Sequence, residues 1–318
     1  MKHFRSIHDV ADLPALLASA AAYKADPFRH ETLGKGKRLG LMFLNPSTRT
    51  RLSTQVAARN LGMEVLVLNA GTEGWALEFN DEVIMNGNTV EHVREAAAVL
   101  GAYVDMLGVR TFPALLSREE DYSERVLQQF VEHSGVPILS LESATLHPLQ
   151  SLADLLTMEE QFKAPRKPKV VLTWAPHIKA LPHCVANSFA QWVNAWDAAD
   201  FVIAHPEGYE LDPAFVQQAS VEHDQDKALC DADFIYVKNW SSTAQYGKHV
   251  CEDPSWMLTP EKLLPTRQAK VMHCLPVRRN LELSAAILDG PQSIVIEQAA
   301  NRVWAAQAVL AEILKGLA

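Results

Sequence analysis

The sequence predicts an α/β fold made of two doubly wound domains with parallel sheets. Three observations carry that prediction. Short apolar runs alternate with longer amphipathic stretches along the whole chain, as in βαβ units whose sheets are covered by helices. The length of 318 residues suits two domains of ordinary size. The polar, basic, proline-bearing segment Gln161–Pro168 (QFKAPRKP) then divides the chain into two halves of similar strand content. The expected boundary therefore falls between residues 160 and 161.

In chain order, the apolar runs of strand length are Leu39–Leu44, Glu64–Leu68, Val104–Val109 and Pro137–Leu141 in the first half. The second half offers Lys169–Trp174, Phe201–His205, Phe234–Val237, Lys270–Cys274 and Ser293–Ile296. Each is short and apolar, as strands of a sheet buried on both faces should be. Helical periodicity marks Val90–Tyr103 (VEHVREAAAVLGAY) and Ala299–Leu317 most clearly.

Composition narrows the function. Hydrophobic residues at 48% and charged residues at 21% provide a large core without disulfides or metals. A net charge of −9 argues against nucleic acid as the main partner. No apolar run has the length of a membrane span, and the opening MKHFRSIHDVADL lacks the apolar core of a signal peptide. Cys184, Cys230, Cys251 and Cys274 show no CxxC spacing and read as reduced thiols of a cytoplasmic protein, with no metal site. No strand is followed by the G-x-G-x-x-G turn of a dinucleotide site, so no cofactor is expected.

Ligands of open α/β sheets bind at the carboxyl ends of strands, in this case in a cleft expected between the halves. After the first strand comes Asn45-Pro46-Ser47-Thr48-Arg49-Thr50-Arg51, then a helical pattern. A Ser or Thr cap, a helix start and an arginine make an anion cradle without glycines. Arg110 follows the third strand; Glu142 and His147-Pro148-Leu149-Gln150 follow the fourth. In the second half His177, Lys238 and His273-Cys274-Leu275-Pro276-Val277-Arg278-Arg279 end strands, and Arg302 begins the last helix. Each alone also reads as a cap or a surface residue. Together they describe a site for an anionic, phosphate-bearing substrate.

STRT (Ser47–Thr50), HPLQ (His147–Gln150) and HCLP (His273–Pro276) stand in the order and at the separations of the aspartate/ornithine carbamoyltransferases, and the resemblance covers the whole chain. It implies a carbamoyl phosphate domain over residues 1–160, an amine-substrate domain over 161–298, and a final helix, 299–318, packed back onto the first. It implies a homotrimer with active sites at subunit interfaces. Carried over by motif, Arg49, Arg110 and His147 are the catalytic residues. Ser47, Thr48, Arg49, Thr50, Trp75, Arg110, His147, Gln150, Cys274, Leu275 and Arg302 bind carbamoyl phosphate. The expected chemistry is attack of a neutral amine on the carbamoyl carbon, through a tetrahedral oxyanion, with phosphate leaving. Cys274 is expected to contribute backbone contacts and packing, not a nucleophile.

Departures from the family pattern concern the amine acceptor. Ornithine enzymes carry an Asp-x-x-x-Ser-Met-Gly segment whose Asp answers the α-ammonium; the matching Val237–Thr243 has Lys238 in that place. A lysine repels an ammonium, so free ornithine is expected to be a poor substrate. Aspartate enzymes insert a lysine from the neighbouring subunit, where the loop Gly74–Phe79 offers Trp75. The Trp75 loop, TWAPH, Lys238 and LPVRRN are similar to the branch that acts on N-acylated ornithines, with Trp75 entering the neighbouring site. In the acetyl type a glutamate near the start of the helix at 89–103 lines the acyl pocket and a lysine follows RRN. The matching residues are Val90 and Glu282. Val90 leaves room for a succinyl group, whose carboxylate Lys238, Arg278 and His177 are suited to bind, with Glu142 also on the acceptor.

The expected reaction is therefore carbamoylation of the side-chain amine of N-succinyl-L-ornithine to N-succinyl-L-citrulline, in arginine biosynthesis. The alternative is N-acetyl-L-ornithine, if the alignment shifts by one and places Glu91 in the pocket. A non-catalytic phosphate-sensing paralogue is a remoter reading, since no member of STRT, Arg110, HPLQ or HCLP is lost. Relatives in this branch thread a loop of the second domain through a proline-bearing loop, for which Pro176–Pro182 is the candidate.

Overall fold

The computed structural model describes residues 1–70 and 72–317. Ala318, the end of the helix expected over 299–318, lies outside them. The chain forms two compact units. The first comprises Met1–Pro113, Glu119–Leu149 and Arg302–Ala318; the second comprises Ala114–Arg118 and Gln150–Asn301.

In chain order the first part runs α1 (Leu13–Ala25), β1 (Arg38–Phe43), α2 (Thr48–Asn60), β2 (Glu64–Asn69), β3 (Leu77–Glu78), β4 (Glu91–His92), α3 (Val93–Tyr103), β5 (Met106–Arg110), α4 (Arg118–Tyr122), α5 (Arg125–His133) and β6 (Ile138–Glu142). α6 (Pro148–Gln161) follows, and the division between units falls inside it. The first unit holds a four-stranded parallel sheet in the order β2-β1-β5-β6. The chain leaves β1 toward β2 and returns on the other side at β5, so its switch point lies between β1 and β5. β5 and β6 are buried along their whole length, which is why they read as unbroken apolar runs. Gly108 allows this packing: a Cβ there would come 2.9 Å from Leu41 Cδ2. Met42, Val93, Leu107, Val109, Leu127, Phe130 and Ile138 build the core of this unit.

The second unit contains β7 (Lys169–Trp174), α7 (Cys184–Trp196), β8 (Asp200–Ala204), α8 (Pro213–Val216), β9 (Ser220–Glu222), α9 (Gln225–Leu229), β10 (Phe234–Lys238), β11 (Lys270–Met272) and α10 (Ala285–Leu288). Its parallel sheet is ordered β11-β10-β7-β8-β9, with the switch point between β7 and β10. Buried aromatics frame those two strand ends. Trp174 donates its indole N–H to Trp240 O at 3.0 Å, and Trp240 donates to Tyr209 O at 2.8 Å. Satisfied indoles of this size make a rigid floor.

The last helix, α11 (Val295–Lys315), enters the first unit at Arg302. There Gln307 accepts from Asn60 Nδ2 at 3.0 Å and donates to Pro27 O at 2.7 Å, tying it to α2.

Two expected elements differ. Ser293–Ile296 is not a strand: only an isolated bridge links Ser293 to Val271, and Val295 already begins α11. An apolar run this short does not distinguish a strand from a buried helix start. The helix expected from Val90 begins at Val93, because Glu91 and His92 pair with Leu77 and Glu78. His92 then caps α3, its Nδ1 accepting from Arg94 N at 3.2 Å.

Candidate active site

In the first unit, the switch-point strands place the predicted anion site. Ser47 caps α2 just after β1, its Oγ accepting from Thr50 N at 3.3 Å. This puts Thr48, Arg49 and Thr50 on the first helical turn, whose positive dipole end favours an anion. The buried Thr50 Oγ1 accepts from Arg302 Nη2 at 2.6 Å and from Arg110 Nη1 at 3.4 Å. Arg302, expected at the start of the last helix, lies well inside it.

Arg110 ends β5 at a register shift between Val109 and Arg110, which brings it opposite Glu142 at the end of β6. Their side chains form a buried ion pair. The guanidinium also lies 4.6 Å from the centre of the Phe112 ring, and its Nε has no hydrogen-bond partner among the described residues. His147 Nε2 is 3.4 Å from Glu142 Oε2. Burial first, then the charges of Arg302 and Arg110, pushes His147 well below the usual histidine range. It is a neutral imidazole at physiological pH, able to donate one hydrogen bond to a carbonyl oxygen. Ser47, Thr50, Arg110, Glu142, His147 and Arg302 thus lie in one cluster; Glu142, expected on the acceptor, belongs to it.

In the second unit, Lys238 ends β10 beside Trp174 of β7, and its buried ammonium donates to Asn239 O at 2.9 Å. Arg278 Nε donates to His177 Nε2 at 3.1 Å, while His177 Nδ1 lies 3.0 Å from Lys179 O. Burial, with Lys238 and Arg278 nearby, lowers the His177 pKa. Both its ring nitrogens are engaged, so it orients Arg278 rather than adding a charge. Glu282 lies beneath this group: Arg278 N donates to its Oε2 at 2.7 Å, and His273 Nε2 is 3.5 Å from Oε1. Burial alone would raise its pKa, but His273, Lys238 and the Arg278 N–H bring it down to about 2. A permanent carboxylate therefore balances the cationic cluster.

Gln150 joins the HCLP segment through a buried chain. Its Nε2 donates to Asp154 Oδ1 at 2.8 Å; Gln298 Nε2 donates to the same oxygen at 2.7 Å; His273 N donates to Gln298 Oε1 at 2.9 Å. Leu275 N in turn donates to His273 Nδ1 at 2.9 Å. Cys274 beside it is half-buried. Asp154 and Gln298 were not singled out in the sequence, and Glu282 only as the position where the acetyl type carries a lysine. Only the i, i+4 spacing of Gln150 and Asp154 on α6 hinted at one of them.

Trp75 and Val90 lie just before β3 and β4, where Val90 N donates to Ala76 O at 2.9 Å. Trp75 is 59% exposed and Val90 64%. The Trp75 indole donates to Glu91 Oε2 at 2.7 Å, so within its own chain β4 holds the ring. Among the described residues no group of three or more His, Cys, Asp or Glu could hold a metal ion. No described helix is long and apolar enough to cross a membrane.

The family model for the aspartate/ornithine carbamoyltransferase carbamoyl-P binding domain matches residues 2–160, and that for the Asp/Orn binding domain matches 183–313. N-succinylornithine carbamoyltransferase of Bacteroides fragilis is 50% identical over 319 residues, covering 100% of both chains. N-acetylornithine carbamoyltransferase of Xanthomonas campestris is 36% identical, covering 99% of this chain and 98% of its own. A crystal structure of a glutamate-to-valine mutant of N-acetyl-L-ornithine transcarbamylase, complexed with carbamyl phosphate and N-succinyl-L-norvaline, matches with a TM-score of 0.92 at 36% identity, covering 98% of this chain and 100% of that one.

Proposed function

The chain belongs to the aspartate/ornithine carbamoyltransferase family, and from that premise we propose that it carbamoylates N-succinyl-L-ornithine, using carbamoyl phosphate and releasing N-succinyl-L-citrulline and phosphate. The observation that carries the acceptor is full-length identity of 50% to an N-succinylornithine carbamoyltransferase. Carbamoyl phosphate is assigned to the domain at 1–160 with the helix at 299–318, and the acylated ornithine to the domain at 161–298.

In this reading the start of α2, with Ser47, Thr48, Arg49 and Thr50, holds the phosphate together with Arg302. Arg110 and the neutral His147 polarise the carbamoyl carbonyl and meet the oxyanion that forms as the amine attacks. These donors are already in place, so little reorganisation accompanies charge development. Asp154 orients the Gln150 amide, and in this reading Gln150 and Leu275 O accept from the carbamoyl NH2 group. As the tetrahedral intermediate collapses, the leaving phosphate keeps its cationic partners. Lys238 and Arg278, the latter oriented by His177, bind acceptor carboxylates. Glu91, the residue that would favour an acetyl acceptor, is taken by the Trp75 indole.

Assays with carbamoyl phosphate and three acceptors test the reading. N-succinylornithine is expected to react fastest, N-acetylornithine slowly and ornithine least; preference for either of the others overturns it.

We also propose a homotrimer in which Trp75 and Val90 enter the neighbouring site. Leu52 and Val56 of α2, Leu66 of the edge strand β2, Trp75 and Val90 are all large, apolar and exposed on the first unit. Sedimentation is expected to give three times the 35.2 kDa protomer mass. A fully active monomer contradicts it.

A further inference from the structure

The turn between Glu142 and His147 is held by a carboxylate outside the motifs. Ser143, Ala144 and Thr145 are buried, and buried N–H groups must find acceptors. The Ser143 N–H goes to Leu146 O at 2.8 Å, and Glu124, in the turn between α4 and α5, supplies acceptors for the other two. Its Oε1 accepts from Ser143 Oγ at 2.6 Å, Thr145 N at 2.7 Å and Thr145 Oγ1, and its Oε2 accepts from Ala144 N at 3.3 Å. Four donors converge on this one carboxylate, three of them on Oε1.

The backbone at Glu124 shows what this arrangement demands. Its φ is 54° and ψ 27°, the left-handed region that disfavours residues with a Cβ. It occupies the N-cap position of α5, yet its side chain makes no cap hydrogen bond to that helix. Neither helix capping nor backbone preference accounts for a glutamate here, whereas the Ser143–Thr145 turn does. The two ends of that turn are Glu142, paired with Arg110, and His147, 3.4 Å from Glu142.

We propose that Glu124 is a positioning residue for carbamoyl transfer: its carboxylate fixes the Ser143–Thr145 turn and so sets His147 against Glu142 and Arg110. The proposal rests on the carbamoyl phosphate reading given above. Misplacing a catalytic group by about 1 Å lowers turnover by up to the order of 10²-fold, so a slack turn has a measurable effect.

Two substitutions separate position from stability. Glu124→Gln keeps the length but turns an amide NH2 toward donors. Glu124→Gly removes the carboxylate while relieving the left-handed backbone. Both are assayed well below their thermal unfolding midpoints, with carbamoyl phosphate binding followed by calorimetry. The expected result is a fall of roughly 10- to 100-fold in kcat/KM for carbamoyl phosphate in each variant, with KM for N-succinylornithine unchanged. Folded Glu124→Gly with wild-type kcat/KM overturns the proposal, as does a loss confined to a raised KM for N-succinylornithine with kcat unchanged. If the wild type binds carbamoyl phosphate and both variants match it in binding and turnover, positioning alone fails. A wild type that binds no carbamoyl phosphate overturns the transferase reading and this proposal together.

Discussion

Arg110→Ala is expected to lower kcat/KM by on the order of 10²-fold or more, the usual effect of removing one donor to a developing oxyanion. The arginine is 7% exposed, ends a central strand, and links Thr50 to Glu142. Its loss also breaks the buried ion pair with Glu142, a change that commonly destabilises a fold by about 3–5 kcal/mol. The double variant Arg110→Ala/Glu142→Gln removes that second effect and is expected to recover stability without recovering rate. His147 should also titrate at higher pH in the single variant, since Arg110 is one of the charges holding its pKa down. Arg49→Ala, on the first turn of α2, is expected to be comparably slow. Steady-state kinetics and thermal melts read these effects, and near-normal kinetics in both single variants would remove the carbamoyl phosphate assignment.

Val90→Glu is expected to shift acyl preference from succinyl toward acetyl. Val90 is an exposed, uncharged residue just before β4, presented next to Trp75. A glutamate there meets the terminal carboxylate of a bound succinyl group. Like charges at ~4 Å repel by about 4 kcal/mol at an effective dielectric near 20, and partial solvation reduces this to a tens- to hundreds-fold effect on succinyl turnover. An acetyl group has no charge to repel, so the ratio of the two specificity constants should fall. Competition assays with both acceptors decide the matter; an unchanged ratio refutes the pocket assignment and leaves the transferase reading intact.

Several parts of the site were visible in the sequence for a local reason. β7 forms over the predicted residues, Lys169–Trp174, because a parallel strand buried on both faces must be a continuous apolar run. The cap and first turn at Ser47–Thr50 were visible because capping chemistry depends on neighbours along the chain. Glu91 and His92 were less so: a helical period extended to them, but a two-residue pairing with Leu77 and Glu78 prevailed.

By itself the sequence determined two α/β halves, the order of the strand ends and the residue types at them, since each follows from periodicity, capping or a short motif. The tertiary structure alone decided which of those residues meet. Arg302 reaches Thr50 across 252 positions of sequence, and Gln298 reaches Asp154 across 144. It also decided their charge states. His147 is neutral because burial and two arginines disfavour its proton, while Glu282 stays ionised because His273, Lys238 and an Arg278 N–H outweigh its own burial. Desolvation and ion pairing depend on what packs around a group, and that environment is assembled from distant parts of the chain.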